Sequence, residues 1–209
     1  MFRFPLPHRG LYAITDGPRA GLVAAVDAAL AGGAVLVQYR DKTDDVARRL
    51  AEARALVACC ARYHVPLIVN DDVELAVAAG AAGVHVGEDD EDVAATRAKL
   101  GSDAIVGVSC YASPERAAAL AAAGADYLAF GAFFPSPTKP TAHRASPDLL
   151  RQSAALGKPL VAIGGITPDN ARPLLDAGAG LLAVISGVFG QPDPRAAAAR
   201  YAALFKNHD

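Results

Sequence analysis

Three groups of polar residues carry the chemistry in this chain. The first is Gln38-Tyr39-Arg40-Asp41-Lys42, which closes an apolar run. The second is acidic: Asn70-Asp71 ends another such run, and Glu88-Asp89-Asp90 follows Gly87. The third is small or hydroxylated: Ser109, the loop Pro135-Ser136-Pro137-Thr138-Lys139-Pro140, Gly164-Gly165 and Ile185-Ser186. Arg grips a phosphate through parallel N–H donors, and Lys adds a point charge. Carboxylates beside such cations suit Mg2+, which takes oxygen ligands and completes its shell with water and phosphate. Glycines let backbone N–H groups come close to an anion. Each proline fixes φ and removes a donor, so the loop of residues 135–140 is stiff and displays hydroxyls and an ammonium.

Each group also has a plainer reading. Polar residues fall at strand ends because strands end there. Arg40 can pair with an aspartate inside the fold. Asp89, Asp90, Glu91 and Asp92 can be the acidic start of a helix, although that leaves Asp71 unexplained. Gly164-Gly165 can be a tight turn, and His85, inside an apolar run, reads as a packed, hydrogen-bonded histidine. No His/Cys spacing suggests zinc. What favours chemistry is the whole set, because the opposite ends of the same runs begin with apolar residues such as Val35, Leu67, Ile105 and Leu160.

The elements that must hold these groups alternate regularly. Strand-like runs are Leu11–Thr15, Val35–Arg40, Pro66–Asn70, Gly83–Val86, Ile105–Ser109, Tyr127–Gly131, Pro159–Gly164 and Leu181–Ser186. Between them lie segments rich in Ala, Leu, Glu and Arg, which form helices. Thr43-Asp44-Asp45 reads as a helix start. Ser113-Pro114-Glu115, Ser146-Pro147-Asp148 and Thr167-Pro168-Asp169 repeat another: a capping hydroxyl, Pro at the first position, then an acid. Gly80, Gly124 and Gly178 fit C-terminal caps. Eight nearly all-apolar strands in strict alternation with helices predict a parallel sheet closed into a (β/α)8 TIM barrel. An open doubly wound sheet is the weaker alternative, because no GxGxxG follows the first strand. One domain is expected, with residues 1–10 as an arm and 192–209 as a closing helix and tail.

In a barrel every strand terminus named above lies on one rim, the C-terminal face where barrel sites are built. Alternation in the second strand sends Val35, Val37 and Tyr39 toward the helices. Leu36, Gln38 and Arg40 then point into the barrel mouth.

Composition narrows the class. Of 209 residues, 53% are hydrophobic and 20% charged, with a net charge of −2, which excludes a disordered chain or a basic nucleic-acid coat. The N-terminus MFRFPLPHRG has no apolar h-region, and the longest apolar stretch, Ala177 to Gly190, is short and glycine-rich, so a cytoplasmic protein without a membrane span is expected. Cys59 and Cys60 are adjacent and, with Cys110, make no disulfide framework. The alanine-rich outer helices permit a homo-oligomer.

Two anion places therefore face each other across one mouth. One is cationic and metal-assisted. The other, at the loops after the seventh and eighth strands, is made of backbone and hydroxyls. That is equipment for a Mg2+-dependent group transfer between two phosphorylated small molecules.

Gln38-Tyr39-Arg40-Asp41-Lys42, Asn70-Asp71, Gly83 to Asp90, Gly107-Val108-Ser109, Ser136-Pro137-Thr138-Lys139, Ala162 to Ile166 and Ile185-Ser186, in this order and spacing, resemble thiamine-phosphate synthases (thiamine-phosphate pyrophosphorylases) from Leu11 to about Ser186. The resemblance implies a condensation of 4-amino-2-methyl-5-(diphosphooxymethyl)pyrimidine with a thiazole phosphate, or its carboxylated form, releasing pyrophosphate. By match, Gln38, Tyr39, Arg40, Asp41, Lys42, Asn70, Ser109 and Lys139 would hold the pyrimidine diphosphate. Asp71 and Asp90, with Asp89 adjacent, would bind Mg2+. Ser136, Pro137, Thr138, Gly165, Ile185 and Ser186 would hold the thiazole phosphate. Arg40, Lys42, Ser109 and Lys139 would be the catalytic groups. The chain departs from the family's usual Thr-x-Thr-Lys by carrying Ser136-Pro137-Thr138-Lys139, which keeps the hydroxyl and loses one backbone donor.

Nothing in the sequence reads as an activated nucleophile, since Ser109 has no evident His base. The thiazole nitrogen needs no deprotonation, so the demanding step is departure of pyrophosphate from the pyrimidine CH2, expected to be dissociative. A thiazole tautomerase of the same fold would not need Arg40, Lys42, Asp71 and Lys139 together. A non-catalytic phosphate-metabolite-binding barrel would not need the metal candidates.

Overall fold

The apolar runs become eight short parallel strands because each is flanked by a helix long enough to cross back over the sheet. In this computed structural model residues 5–87, 92–135 and 145–206 are described. In chain order the elements are β1 (Gly10–Ile14), α1 (Leu22–Ala31), β2 (Ala34–Tyr39), α2 (Val46–Ala61), β3 (Leu67–Asn70) and α3 (Val73–Ala79). They continue with β4 (Gly83–Val86), α4 (Val93–Leu100), β5 (Ile105–Tyr111), α5 (Pro114–Ala122), β6 (Tyr127–Phe130) and α6 (Pro147–Ser153). The last are β7 (Leu160–Ile163), α7 (Arg172–Asp176), β8 (Leu181–Val184), α8 (Ser186–Phe189) and α9 (Pro194–Ala203). Strands pair in sequence order, and β1 pairs with β8, so the sheet is a closed (β/α)8 barrel. Closure leaves no sheet edge to protect.

Alternation along the strands builds two apolar layers. Leu36, Ile68, Val161 and Leu181, all fully buried, fill the barrel interior with Tyr12 and Tyr127. Val37, Tyr39, Val69, Val84 and Leu182 face outward and pack against the helices. Cys59 and Cys60 belong to this outer layer as packing residues. Burial pushes the Cys60 and Cys110 thiols up to about 12, so both are inert fillers. Among the described residues no helix is long and apolar enough to cross a membrane.

Two local expectations fail for identifiable reasons. Val35 packs against the interior cluster and not the helix layer. The β1–β2 register shifts between Leu11 and Tyr12, pairing them with Ala34 and Leu36, so Val35 is an extra residue that breaks the alternation. Thr167-Pro168-Asp169 does not start a helix, and α7 begins only at Arg172. Asn170 is the cause: its Oδ1 accepts from Thr167 N–H at 2.8 Å, closing a turn that competes with the helix. The other start signals hold in place but not in every detail: the cap of α2 is Asp45, with no acid in the first turn, and Ser146 makes no side-chain cap bond. Asp45 and Ser113 accept from the N–H groups of Arg48 and Arg116, and Pro147 follows Ser146 at the head of α6. Gly80, Gly124 and Gly178 all have positive φ just past helix ends.

Candidate active site

The C-terminal ends of the strands bring the described sequence candidates to one rim. At the β2 end Gln38 is 2% exposed and points into the barrel, where its Nε2 donates to Tyr12 Oη at 2.7 Å. Thr15, at the end of β1, accepts from Arg40 N–H at 2.9 Å and donates to Arg40 O at 3.2 Å, clamping the backbone from which the guanidinium projects. Among the described residues no group accepts a hydrogen bond from the Arg40 side chain. The alternative of an Arg–Asp pair is met by another arginine: Arg48 Nη1 donates to the Asp41 carboxylate at 2.7 Å. Asp41 also accepts from Thr43 N–H at 2.9 Å and Thr43 Oγ1 at 2.7 Å. Burial alone would raise the Asp41 carboxyl, but the Arg48 and Thr43 bonds outweigh it and hold it at about 2.

Tyr39 and Asp41 therefore have other partners for their side chains. Tyr39 lies on the helix side, where its hydroxyl donates to Glu52 at 2.7 Å. Each can offer a ligand only backbone. Together with Arg48 they brace the β2–α2 loop that carries Lys42.

At the β3 end the chain turns sharply. Asp71 has φ of 62°, the left-handed region that Asp tolerates better than most residues, and its N–H donates to His85 O at 2.8 Å. Asp72 caps α3 by accepting from Leu75 N–H and pairs with Arg49 at 2.9 Å. This leaves the neighbouring Asp71 carboxylate at the mouth, 3.5 Å from Lys42 Nζ. Asp71, Asn70 and Lys42 line one open cleft of about 270 Å³.

The donors here are hard oxygens, partly exposed, next to a cation that can hold phosphate. That set fits Mg2+, which needs only one or two protein carboxylates. Among the described residues no cluster of three or more His, Cys, Asp or Glu exists that could enclose a metal by itself. The second proposed ligand, Asp90, and its neighbour Asp89 lie outside the described residues, as do Ser136, Pro137, Thr138 and Lys139.

Ser109 brings a correction. His85 and Ser109 lie on the adjacent strands β4 and β5, and His85 Nε2 is 2.9 Å from Ser109 Oγ. A His partner that sequence reading did not find is thus present. Separation in sequence hid the contact, which the parallel register of His85 with Gly107 creates. It is not the arrangement of an activated nucleophile. The other ring nitrogen, Nδ1, meets the Tyr127 hydroxyl at 2.9 Å, where a Ser-His triad would place a carboxylate.

Across the mouth, Gly164, Gly165, Ile185, Ser186 and Gly187 line a second cleft of about 380 Å³. Among the described residues, the N–H groups of Gly165, Ser186 and Gly187 donate to no turn or loop carbonyl, so they are available to an anion. Gly165 has φ of 63°, and a Cβ there would overlap the Pro135 carbonyl and Phe134. The glycine of the cup thus packs directly against Phe134 and Pro135, which immediately precede residues 136–139 in the chain.

Two residues with supporting roles escaped the sequence reading. Asn170 Nδ2 donates to Gly165 O at 3.0 Å and holds the cup. Arg116 donates from Nε to Ser109 O at 2.8 Å and from Nη2 to Gly87 O at 3.0 Å, tying together the ends of β4 and β5. A polar residue five positions after a Gly-Gly turn is a usable signal for the first. No sequence signal marks the second, because its partners are carbonyls.

With this geometry in hand, the chain can be compared with known proteins. Residues 11–188 match the family model described as thiamine monophosphate synthase. The chain is 55% identical over 198 residues to a thiamine-phosphate synthase of Xanthomonas campestris, covering 94% of this chain and 96% of that protein. It is 56% identical over 201 residues to one of Thiobacillus denitrificans, covering 94% of each. Among solved structures, thiamine phosphate pyrophosphorylase from Pyrococcus furiosus superposes with a TM-score of 0.85 at 33% identity, covering 96% of this chain and 97% of that one. By family model, identity and superposition alike, the chain belongs to the thiamine monophosphate synthase family.

Proposed function

We propose that this chain, a member of a transferase family of thiamine biosynthesis, joins the pyrimidine diphosphate to thiazole phosphate (or its carboxylated form) and releases pyrophosphate. The single observation that supports this most is the pairing of two unlike anion places across one rim. Arg40, without a partner among the described residues, stands with Lys42, Asn70 and Asp71 on one side. The Gly165–Ser186 cup stands on the other.

In this reading Gln38, Asn70 and Ser109 hold the pyrimidine, while Arg40, Lys42 and Lys139 hold its diphosphate. Gly165, Ile185 and Ser186, with Ser136, Pro137 and Thr138, hold the thiazole phosphate. Asp71 and Asp90 would hold Mg2+, which when bound supplies positive charge to the leaving diphosphate. The C–O bond from the pyrimidine CH2 to the diphosphate breaks, and its electron pair leaves with pyrophosphate. The electron-rich aminopyrimidine supports the positive charge left on the CH2, and the thiazole nitrogen then supplies the pair for the new C–N bond. No base is needed. Fixed cations aimed at the charge that grows on the leaving group do the catalytic work. The test supplies both substrates with Mg2+ and measures pyrophosphate. Release that requires all three supports the reading. No release from folded protein at any concentration of the three would end it.

A further inference from the structure

The barrel interior just beneath the mouth holds one continuous polar chain. Gln38 Nε2 meets Tyr12 Oη at 2.7 Å, and Tyr12 Oη meets Tyr127 Oη at 2.8 Å. Tyr127 Oη meets His85 Nδ1 at 2.9 Å, and His85 Nε2 meets Ser109 Oγ at 2.9 Å. Five side chains from β2, β1, β6, β4 and β5 are thereby linked across the barrel. Its two ends, Gln38 and Ser109, are the residues assigned above to the pyrimidine. The middle is dry: Tyr12 is 1% exposed and Tyr127 is 0%. The sequence makes room for it at Gly107, where any Cβ would overlap the Tyr127 ring. The rings are fixed by contact as well, with His85 stacked on Tyr127 at 5.6 Å and Tyr12 edge-on to Tyr127 at 5.8 Å.

Counting hydrogens decides the polarity of the chain. Each tyrosine has one O–H, and a neutral imidazole has one N–H. Burial raises the pKa of both phenols, so both keep their protons. A buried hydroxyl hydrogen left without an acceptor is costly. Starting from Gln38 Nε2 on Tyr12, only one arrangement gives both phenol hydrogens an acceptor, and in it each link donates from Gln38 toward Ser109. Tyr12 donates to Tyr127, Tyr127 donates to His85 Nδ1, and His85 carries its proton on Nε2 and donates to Ser109. Gln38 Oε1 is then left as an acceptor for a ligand, and the Ser109 hydroxyl is left to donate. Reversal would require the Gln38 amide to flip and would exchange both roles.

We propose that Tyr12, Tyr127 and His85 are positioning residues that select an aminopyrimidine. Through the chain they hold Gln38 as an acceptor for the exocyclic amino group and Ser109 as a donor to an acceptor atom of the same substrate. An oxo analogue, with a carbonyl oxygen in place of the amino group, presents the opposite pattern. Accepting it requires the Gln38 amide to flip, and then either the links reverse or the 2.8 Å Tyr12–Tyr127 contact is left without a hydrogen, a cost that neither end residue imposes alone. This rests on the pyrimidine diphosphate being a substrate of this site.

Tyr12→Phe and Tyr127→Phe each remove one hydroxyl and keep the ring. The measurements are kcat/KM for the amino substrate and for its oxo analogue, KM for thiazole phosphate, and the protonated ring nitrogen of His85 by nitrogen NMR. Wild-type protein is expected to carry the His85 proton on Nε2. In either variant the amino-over-oxo preference falls by at least about tenfold, mainly through KM of the amino substrate, while KM for thiazole phosphate is unchanged. In Tyr12→Phe the Tyr127 hydroxyl keeps His85 Nδ1 as its acceptor, so the preference is lost while the His85 proton stays on Nε2, a separation that a purely packing role would not produce. A wild-type proton on Nδ1, or an unchanged preference in folded variants, overturns the proposal. If neither variant folds, the wild-type tautomer alone decides. Absence of pyrophosphate release by wild type would instead remove the functional reading and leave the tautomer result standing.

Discussion

Lys42 Nζ lies 3.5 Å from the Asp71 carboxylate, across the ends of β2 and β3. The two side chains are 63% and 34% exposed, and an ion pair that wet contributes only about 0–1 kcal/mol. The pair therefore does not hold the barrel together, and each partner can turn to a ligand at small cost. Asp71→Asn, which removes the charge and still tolerates the left-handed backbone at this position, should lower kcat by about a hundredfold to a thousandfold, the usual cost of losing one preorganised electrostatic contact. It should also raise the Mg2+ concentration needed for half-maximal rate and leave thermal unfolding nearly unchanged. Pyrophosphate release titrated with Mg2+, beside a melting curve, measures all three. Unaltered Mg2+ dependence would remove Asp71 from the metal site.

Gly165→Val should raise KM for thiazole phosphate strongly, with little change for the pyrimidine diphosphate. The left-handed backbone at Gly165 disfavours any Cβ, and a branched one meets Phe134 and Pro135 besides. Asn170→Ala, which only loosens the Gly165 carbonyl, should move the same constant in the same direction by less. Loss of pyrimidine affinity in place of thiazole affinity would mean that the two anion places are assigned the wrong way round.

Electron-withdrawing substituents on the pyrimidine should slow single-turnover product formation steeply, because they oppose positive charge at the CH2. Equal rates across such a series, with chemistry rate-limiting, would point to direct displacement by the thiazole nitrogen.

The Asp41 carboxyl is held at about 2 against an ordinary 3.8. A depressed carboxyl stabilises the fold above its unfolded pKa, and that stability is lost as pH falls through the folded value. Wild type should thus lose roughly 2 kcal/mol between about pH 4 and pH 2 from this group alone. Asp41→Asn keeps the shape and removes the charge. It should be less stable than wild type at neutral pH, and the gap should close over that acid window. Urea unfolding at stepped pH checks it, and a gap independent of pH would show that Arg48 does not hold Asp41 ionised.

Much of the barrel was legible because its grammar is local. Strand runs such as Gly83–Val86 coincide with the observed element, and capping signals such as Ser113-Pro114 depend on neighbours a few residues away. Departures occurred where a local preference met a longer-range one. Val35 leaves the alternation because β1 imposes a bulge, and Asn170 captures Thr167 for a turn that serves Gly165.

By itself the sequence determined the strand–helix order and the gathering of Gln38, Arg40, Lys42, Asn70, Asp71, Ser109, Gly165 and Ser186 on one rim. These follow from side-chain period and strand direction, which any closed parallel barrel obeys. Only the tertiary structure decided that Asp41 belongs to Arg48 and that the Arg40 side chain has no hydrogen-bond partner among the described residues, because ion pairing depends on distance through space. It alone joined Ser109 to His85 and, through Tyr127 and Tyr12, back to Gln38. Those contacts bring together strands far apart in the chain, and they form because the closed barrel turns these polar side chains toward one another in its interior.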